Sequence, residues 1–217
     1  MKVDLHVHTK ERSPCGRSSA VEQIQAAVSA GLGAIAFTDH GQLPPFEEIA
    51  RFNDEYAPLR ILVGIEITVN GEDVIVVGVH HPLIVTEKWE YPRLHGFVRA
   101  QGGFIALAHP FRYHPDITIP IHTFPPDAIE VCSKNTPRHV AQQIVEVAQR
   151  TGIPVLSNSD AHATDALGKY YNLLDNEPAC EEELMNLIKG GQFTPILHED
   201  DGTTKEFMRR GTRAHDS

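Results

Sequence analysis

The chain contains 217 residues and has a formal net charge of -10 at pH 7 when histidine is counted as neutral. This length suits one domain with a substantial core, and the acidic balance disfavours binding to nucleic acid and to anionic membrane surfaces. No apolar run approaches the roughly 20 residues that span a bilayer, and no basic-then-apolar signal segment opens the sequence. We therefore expect a cytoplasmic protein without membrane association. The three cysteines are far apart and predict neither a disulfide framework nor a thiolate metal site.

The first polar motif lies at residues 4–9, with the sequence Asp-Leu-His-Val-His-Thr. In an extended strand alternate side chains point the same way, so Asp4, His6 and His8 are expected on one face, with Leu5 and Val7 on the other. A buried pair of imidazoles without a partner is costly, and a divalent cation provides the partner by accepting both nitrogens. The motif alone leaves two interpretations open, half of a metal site or the polar edge of a strand.

Short apolar segments alternate with helical segments in the rest of the chain. The sequence Ser-Ala-Val-Glu at 19–22 has the form of a capping box, and we expect the helix that it opens to bury Val21, Ile24 and Val28. An Asn-Gly dipeptide at 70–71 predicts a hairpin. Its strands are predicted at 67–69 and 74–77, and further strands at 34–37, 59–65, 104–108, 128–131, 154–157 and 193–197. Further helices are predicted at 46–56, 92–101, 137–150 and 180–189.

This alternation is the signature of an α/β fold built on a parallel sheet of about seven strands. Right-handed crossovers would close such a sheet into a TIM-like barrel. We expect one domain over residues 1–198. The remaining residues, 199–217, are expected to form a polar and loosely held C-terminal tail.

Residues that can bind a metal ion follow the ends of the predicted strands. They are His6, His8, His40, Glu66, His80, His109, Asp160 and His162. In a parallel barrel the C-terminal ends of all strands lie on one face, where the active sites of such folds are built. The regular placement therefore predicts that these side chains converge on one site.

These motifs resemble those of the PHP (polymerase and histidinol phosphatase) family of metal-dependent phosphoesterases. The family motifs occur here in family order, as Asp-Leu-His-Val-His-Thr at 4–9, Thr-Asp-His at 38–40, Gly-Ile-Glu at 64–66, Ala-His-Pro-Phe-Arg at 108–112 and Ser-Asp-Ala-His at 159–162. The resemblance covers residues 1–198 and implies a distorted (β/α)7 barrel that holds up to three metal ions.

The resemblance also implies a set of ligands. The first ion would be bound by His6, His8, Glu66 and Asp160. Glu66 would bridge to a second ion that His109 also binds, and His40 and His162 would hold a third. Imidazole and carboxylate donors together fit Zn, Mn or Fe, so the expected cofactors are two or three divalent ions of one of these metals.

Two positions depart from the commonest family pattern. For the loop ligand after the His-x-His motif the candidates are Glu11 and Cys15. We favour Glu11, because a hard carboxylate suits nitrogen and oxygen donors better than a thiolate does. For one ligand of the second ion the candidates are His80, which follows a strand, and Asp73, seven residues after the bridging glutamate, and we slightly favour His80. Asp39 is expected to orient a ligand histidine.

The chemistry that the resemblance implies is hydrolysis of a phosphomonoester or a small phosphodiester. Two cations about 3.5–4 Å apart neutralise the phosphate oxygens and generate a bridging hydroxide nucleophile near pH 7. The expected catalytic residues are Glu66, Asp160 and Arg112, and the planar fork of the arginine matches a phosphoryl group. Arg17 and Lys169 are weaker candidates for phosphate contacts. The expected partner is a small phosphorylated substrate.

Three other functions remain open at this point. The family resemblance includes nucleases that act on nucleic-acid ends, but the acidic charge argues against them, and Arg209, Arg210 and Arg213 are too few to change that balance. A non-catalytic regulatory module with structural or lost metals is disfavoured by the nearly complete ligand set. A metal-dependent amidohydrolase would commonly use a lysine at a strand end, which this sequence lacks.

Overall fold

The computed structural model of the protein describes residues 1–199 and 202–207. The strands in these ranges are β1 (Lys2–Val7), β2 (Ala34–Phe37), β3 (Arg60–Val69), β4 (Glu72–Val77), β5 (Phe104–Leu107), β6 (Ala128–Cys132), β7 (Val155–Ser157), β8 (Tyr170–Leu174), β9 (Phe193–His198) and β10 (Thr204–Glu206). The α-helices are α1 (Ala20–Ser29), α2 (Phe46–Glu55), α3 (Leu83–Thr86), α4 (Tyr91–Ala100), α5 (Ala141–Thr151) and α6 (Glu181–Lys189). Short 3-10 helices occupy Arg138–Val140 and Thr164–Ala166.

The strands form one mixed sheet in the order β10-β9-β8-β1-β2-β3-β4-β5-β6-β7. β1, β2 and β3 are parallel, and so are β5, β6 and β7. β4 lies between these groups and is antiparallel to both neighbours, in the hairpin that the Asn-Gly dipeptide predicts. β8, β9 and β10 extend from β1 in antiparallel order. The α/β class is confirmed, but the expected parallel sheet is interrupted at two places and the seven-unit count is not confirmed.

The apolar pattern of the sequence does not predict β8, which has the sequence Tyr-Tyr-Asn-Leu-Leu and a buried asparagine at its centre. Asn172 Oδ1 accepts a hydrogen bond from the Ser157 backbone N–H at 3.0 Å, and Asn172 Nδ2 donates to the Ser157 carbonyl at 2.8 Å. Ser157 ends β7, which is at one edge of the sheet order, whereas β8 is the third strand from the other edge. These bonds therefore hold the two distant strands together, and the sheet curls into an incomplete barrel.

The concave face of the curled sheet carries an apolar layer formed by alternate strand residues. In β2, Ala34 and Ala36 belong to this layer, whereas Ile35 and Phe37 pack on the other face with α1 and α2. The apolar side chains of α6 also pack into this layer, and they are Leu184, Met185, Leu187 and Ile188. The interior of the curl at the level of this layer is therefore packed with apolar side chains.

Helix α1 confirms the predicted capping box but buries a different face. Ser19 Oγ accepts from the Glu22 backbone N–H, and the Glu22 carboxylate accepts from the Ser19 backbone N–H. Val21 and Val28, which were expected inside, are 37% and 50% exposed. The residues that α1 buries are Ala20, Gln23, Ile24 and Ala27. The predicted buried stripe of α1 is therefore wrong except at Ile24. Gln23 can be buried because its Nε2 donates hydrogen bonds to the backbone carbonyls of His8 and Ala161.

β1 contains an irregularity of register within its polar motif. Asp4 pairs with Ile35 of β2 whereas Val7 pairs with Phe37, so three residue steps on β1 oppose two on β2. Leu5 consequently packs in the concave apolar layer, while Val7 packs on the opposite face. The strict alternation expected for the motif is wrong here, because a bulge re-aims the side chains that follow it.

The expected C-terminal tail contains a strand, since β10 pairs with β9. Arg209, Arg210 and Arg213 lie outside the residues that the structure describes. Among the helices it does describe, none combines the length and the apolar character that crossing a membrane requires.

Replacing Asn172 with alanine is expected to destabilise the fold, because the buried N–H and C=O of Ser157 lose their partners. We expect the free energy of unfolding to fall by about 2–4 kcal/mol, since each unsatisfied buried polar group costs about 1–3 kcal/mol. Urea denaturation of the metal-free protein measures this change. Asn186→Ala, at an exposed position of α6, is the matched control and should change the same quantity by less than about 0.5 kcal/mol. Equal effects of the two variants would show that the link does not stabilise the fold.

Candidate metal centre

A layer of acidic and histidine side chains lies above the apolar layer on the concave face. Three acids reach it by strand periodicity, each on the same face as a residue of the apolar layer: Glu66 with Leu62, Asp73 with Ile75, and Glu130 with Ala128. His109 and Asp160 follow the ends of β5 and β7. The buried members of the layer are His6, His8, Glu66, Asp73, His109, Glu130 and Asp160. The sheet thus brings together side chains that are up to 154 positions apart in the sequence.

Four side-chain atoms of this layer surround one point. They are His6 Nε2, His8 Nε2, Glu66 Oε2 and Asp160 Oδ1. The two nitrogens are 3.0 Å apart. Glu66 Oε2 lies 3.5 Å from His6 Nε2 and 3.3 Å from His8 Nε2. Asp160 Oδ1 lies 3.4 Å and 3.2 Å from the same two nitrogens.

These five separations suit nitrogen and oxygen atoms that bind a common metal ion. Ligand atoms about 2.0–2.1 Å from a tetrahedral ion are about 3.3–3.4 Å from one another. Both Glu66 Oε2 and Asp160 Oδ1 are buried without a hydrogen-bond partner. A buried carboxylate oxygen without a donor is costly, and a cation among the four atoms removes that cost. Because the donors are imidazole nitrogens and carboxylate oxygens, the residues present fit a divalent metal.

A second group of ligand atoms adjoins this point on the side of β4 and β5. Glu66 Oε1, the other oxygen of the shared carboxylate, lies 3.2 Å from His109 Nε2. Asp73 Oδ2 lies 3.9 Å from the same nitrogen. One atom from each of these three residues falls within 4.8 Å of the other two. Glu66 therefore has one oxygen in each group.

A third group consists of the rings of His8, His40 and His162. The His8 ring stacks on that of His40 at a centroid distance of 4.6 Å and on that of His162 at 4.3 Å. One ring nitrogen from each residue lies within 4.8 Å of the others. His40 Nδ1 also lies 3.0 Å from Glu66 Oε2. A fourth group, of His6, His109 and Asp160, overlaps the first two. The structure thus brings together most of the residues that the sequence motifs implied, in groups that overlap.

Opposite charges shift the protonation of the centre. Burial alone would lower the pKa of His6, but the carboxylates of Asp160, Glu66 and Glu130 outweigh it and raise that pKa well above its usual value. Burial alone would raise the pKa of Glu66 and of Asp160, but the nearby imidazoles hold both below their usual values. The pKa values of His8 and His109 are raised by carboxylates in the same way, so these imidazoles and that of His6 hold protons more readily than free histidine does. Because a metal must displace these protons, its affinity will decrease as the pH falls.

Glu130 is a buried carboxylate of the site that the sequence motifs do not predict. Its Oε1 lies 3.1 Å from His6 Nδ1 and accepts from Asn158 Nδ2 at 3.1 Å. Its Oε2 accepts from the His109 backbone N–H at 3.0 Å. The contact at Nδ1 directs the Nε2 atom of His6 toward the centre. The available signal was a charged residue inside the apolar strand Ala-Ile-Glu-Val, two positions after Ala128.

A chain of polar contacts holds the outer edge of His8. Ser13 Oγ lies 3.1 Å from His8 Nδ1 and donates to Asp39 Oδ1 at 2.7 Å. Asp39 also accepts from the Thr9 backbone N–H and from Arg12 Nε. Asp39, which was expected to orient a ligand histidine, thus reaches His8 through Ser13 rather than directly.

His80 lies away from the centre, which corrects the preference for it over Asp73. It follows β4, whose antiparallel direction points its C-terminal end away from the end of the sheet that carries His109. His80 is exposed, and its ring centroid lies 6.0 Å from that of Phe46. Asp73, at the start of β4, is buried in the second ligand group. The rule that strand ends converge holds only for parallel strands, so it selected the wrong end of β4.

Neither loop candidate belongs to a ligand group. Glu11 is exposed, and its carboxylate accepts from the Ala20 backbone N–H at the start of α1 at 3.1 Å. The preference for Glu11 as a ligand is therefore corrected, because its charge is used at the helix N-terminus. Cys15 is exposed and lines a cleft beside the centre together with His162.

Arg112 lies at the edge of the centre on a tight turn after β5. Its Nη1 is 3.8 Å from Asp160 Oδ2, and its guanidinium lies 5.0 Å from the ring centroid of Tyr113. Within this turn His109 and Phe111 have φ values of 25° and 64°. Asp160, which follows β7, also has a positive φ, of 49°. Positive φ is uncommon for residues other than glycine, and such strain concentrates at functional sites. The turn therefore carries both a ligand candidate and the arginine expected at the phosphate.

A family model described as PHP-associated matches residues 139–193 of the chain. No curated protein matches it. Together with the similarities of fold given below, the match supports a PHP-domain family for this chain, as its motifs predict.

Three solved structures with this fold are informative. A two-domain protein from Bacteroides vulgatus, which contains a predicted PHP-like metal-dependent phosphoesterase, is 17% identical over 91% of this chain with a TM-score of 0.71. An amidohydrolase from Chromobacterium violaceum is 17% identical over 94% of this chain and 100% of its own, with a TM-score of 0.66. A lesion-specific endonuclease from Pyrococcus furiosus is 16% identical over 95% of this chain, with a TM-score of 0.61. This chain spans 65% of the first protein and 57% of the endonuclease. At these identities the similarity establishes the fold.

Asp73→Asn and His80→Asn are expected to differ in metal content. The asparagine at position 73 removes a buried carboxylate charge from the second ligand group, so the purified variant should retain less metal than the wild-type protein. The variant at position 80 should retain the wild-type amount, because that side chain lies at the other end of the sheet. Elemental analysis after gel filtration compares the two. The reverse order would restore His80 as the ligand.

Glu130→Gln is expected to weaken metal binding about 10–100-fold, the usual effect of losing a partner that orients a ligand histidine. The glutamine keeps the size of the side chain but loses the charge that fixes the His6 ring. Competition with a chromogenic chelator measures the affinity. Glu146→Gln, at an exposed position of α5, removes the same charge from the surface and should leave the affinity unchanged. An unaltered affinity in Glu130→Gln would show that His6 does not depend on this contact.

Proposed function

We propose that the protein is a metal-dependent phosphoesterase that hydrolyses a phosphomonoester or a small phosphodiester. The observation that carries the proposal is that Glu66 Oε2 and Asp160 Oδ1 each lie within 3.5 Å of both His6 Nε2 and His8 Nε2, with a further ligand group on each side. Bound ions would neutralise phosphate oxygens and lower the pKa of water enough to supply hydroxide near pH 7. The Bacteroides vulgatus protein, which shares the fold, is described as containing this class of enzyme.

Glu66 has the position required to hold two ions at a fixed separation. Its Oε2 faces His8 at 3.3 Å and its Oε1 faces His109 at 3.2 Å, so each oxygen belongs to a different ligand group. Such a bridge matches the arrangement in which two ions act on the attacking and leaving oxygens of an in-line displacement.

Asp160 and Arg112 form the substrate side of the proposed centre. Asp160 Oδ1 faces the two histidines of the motif, and its Oδ2 accepts from Asn135 Nδ2 at 2.7 Å. The amide thus fixes the orientation of the carboxylate. Arg112 is 32% exposed beside it, and we propose that its guanidinium binds a phosphoryl oxygen through paired hydrogen bonds.

The proposed cofactors are two or three divalent ions of Zn, Mn or Fe. The first and second groups combine imidazole with carboxylate donors, which suit all three metals. The third group offers only imidazole nitrogens, from His8, His40 and His162. His8 belongs to both the first and the third group, so these two positions share a ligand residue.

A second candidate function is cleavage of nucleic-acid ends. The Pyrococcus furiosus protein with the same fold is a lesion-specific endonuclease, and phosphodiesters are within reach of the same metal chemistry. The net charge of -10 weighs against it, because affinity for nucleic acid depends largely on contacts between cations and phosphates. A salt-sensitive complex with single-stranded oligonucleotides, or their cleavage, would favour the nuclease.

Asp160→Asn and His109→Asn are expected to abolish metal-dependent hydrolysis of phosphate esters. Each replaces a carboxylate or an imidazole with a neutral amide that binds metals weakly, and asparagine tolerates the positive φ at both positions, so the fold should remain intact. A colorimetric phosphate assay with added Mn, Zn or Fe measures turnover, and circular dichroism checks folding.

The control for this experiment is His139→Ala, which changes an exposed histidine outside the ligand groups. It should keep wild-type turnover. Full activity in both asparagine variants would refute the assignment of the centre, and metal binding without hydrolysis of any ester would favour a non-catalytic module.

A further inference from the structure

A cleft of about 260 Å³ opens beside the candidate metal centre on the side of Asp160. The residues of its lining that matter here are Arg17, Arg112, Lys134, Asn135 and His162. Pockets for drug-sized ligands measure about 300–1,000 Å³, so this cleft suits a smaller molecule. His162 belongs to the third ligand group and Asn135 binds Asp160, so the cleft is continuous with the centre.

Three cationic side chains line this cleft in a protein of net charge -10. Arg112 lies nearest to the centre, 3.8 Å from Asp160. Arg17 and Lys134 are the other two, and both are exposed. Local cations of this kind raise the concentration of anionic ligands at a site even when the whole protein is acidic.

Backbone hydrogen bonds fix the positions of the main chain at Arg17 and Lys134. The Arg17 N–H donates to the carbonyl of His162 at 2.7 Å, and the Lys134 N–H donates to the carbonyl of Ser159 at 3.1 Å. The two acceptors lie on either side of Asp160 in the sequence. The loop after β1 and the loop after β6 are therefore both attached to the segment that carries this proposed ligand.

The acids near the outer cations leave them able to bind an anion. Lys134 Nζ contacts the Asp165 carboxylate at 2.7 Å, but these side chains are 43% and 66% exposed. Exposed ion pairs contribute little stability, so an anion can share or replace this contact. Asp160, the other acid beside the cleft, directs Oδ1 toward the ligand histidines.

We infer that the substrate of this centre carries a second negatively charged group on its leaving group, bound by Arg17 and Lys134. The inference rests on the proposed phosphoesterase function and specifies its substrate class as a small ester with a second anion, a carboxylate or another phosphate. With the scissile phosphoryl group at the metals and Arg112, the leaving group extends into the cleft toward the two outer cations. Each cation is a specificity determinant in this arrangement.

The test compares four phosphate monoesters of similar size on the metal-loaded full chain. They are 3-phosphoglycerate and propane-1,3-diol bisphosphate, whose leaving groups are anionic, glycerol 3-phosphate, which is neutral there, and phosphoethanolamine, which is cationic. We expect kcat/KM for at least one anionic ester to exceed that for the neutral one by roughly tenfold or more, and the cationic ester to be the poorest. A preference for one anionic ester distinguishes a carboxylate from a phosphate. Equal values for all four would overturn the inference.

Substitutions in the cleft test which residues cause the preference for anionic esters. Arg17→Gln and Lys134→Gln should each reduce the ratio of the anionic to the neutral ester by roughly tenfold, the effect of losing one charge-assisted hydrogen bond. Arg17→Lys should restore part of it. Arg51→Gln and Lys88→Gln change exposed cations outside the cleft and should leave the ratio unchanged. A ratio that is unchanged in both cleft variants contradicts the inference.

A binding measurement separates failure of this inference from failure of the proposed function. Calorimetry with 3-phosphonopropionate and propylphosphonate, which resist hydrolysis, compares a ligand that has a second anion with one that lacks it. Tighter binding of the dianionic probe that is lost in Arg17→Gln supports the cleft even if no ester is hydrolysed. Equal affinity for the two probes overturns it even if esters are hydrolysed.

Discussion

The structure depends on the balance of charge among carboxylates and imidazoles that are buried together at one end of the curled sheet. Burial makes an isolated carboxyl group hold its proton, and it raises the pKa of the nearby Asp4 to about 7. Glu66 and Asp160 are equally buried but have pKa values below the usual range, because imidazoles face them. The imidazoles therefore compensate much of the buried negative charge. The two carboxylate oxygens without a hydrogen-bond partner, Glu66 Oε2 and Asp160 Oδ1, indicate that a divalent cation compensates the rest.

The rest of the fold positions these groups. The apolar layer and α6 fill the lower interior, so the polar layer packs against apolar side chains on that side. The curl of the sheet, held in part by Asn172, brings the end of β7 back toward β1, which places Asp160 beside the histidine motif. The bulge in β1 then turns His6 and His8 toward the same point. Each of these features orders a ligand before any ion binds, which reduces the entropy that binding must overcome.

Charge changes sign with distance from the centre. Glu130 lies behind His6, deep in the fold, and the pair of Ser13 and Asp39 supports the other histidine of the motif. The cations of the cleft lie at the outer edge. An anionic substrate of the proposed kind would thus meet positive groups at the entrance, whereas the carboxylates inside are paired with imidazoles. This order makes the proposed anionic substrate compatible with an acidic protein.

The sequence by itself determined the α/β class, the hairpin at Asn70, the capping box of α1 and most of the residues of the candidate metal centre, because these depend on local spacing. The tertiary structure alone decided that Asp73 rather than His80 joins the centre, since strand direction is set by pairing between distant segments. It also decided that Glu11 serves a helix terminus, that Glu130 orients His6, and that Asn172 helps to close the sheet. These roles come from contacts between residues far apart in the chain, and no local pattern of residues encodes which distant backbone a side chain will meet.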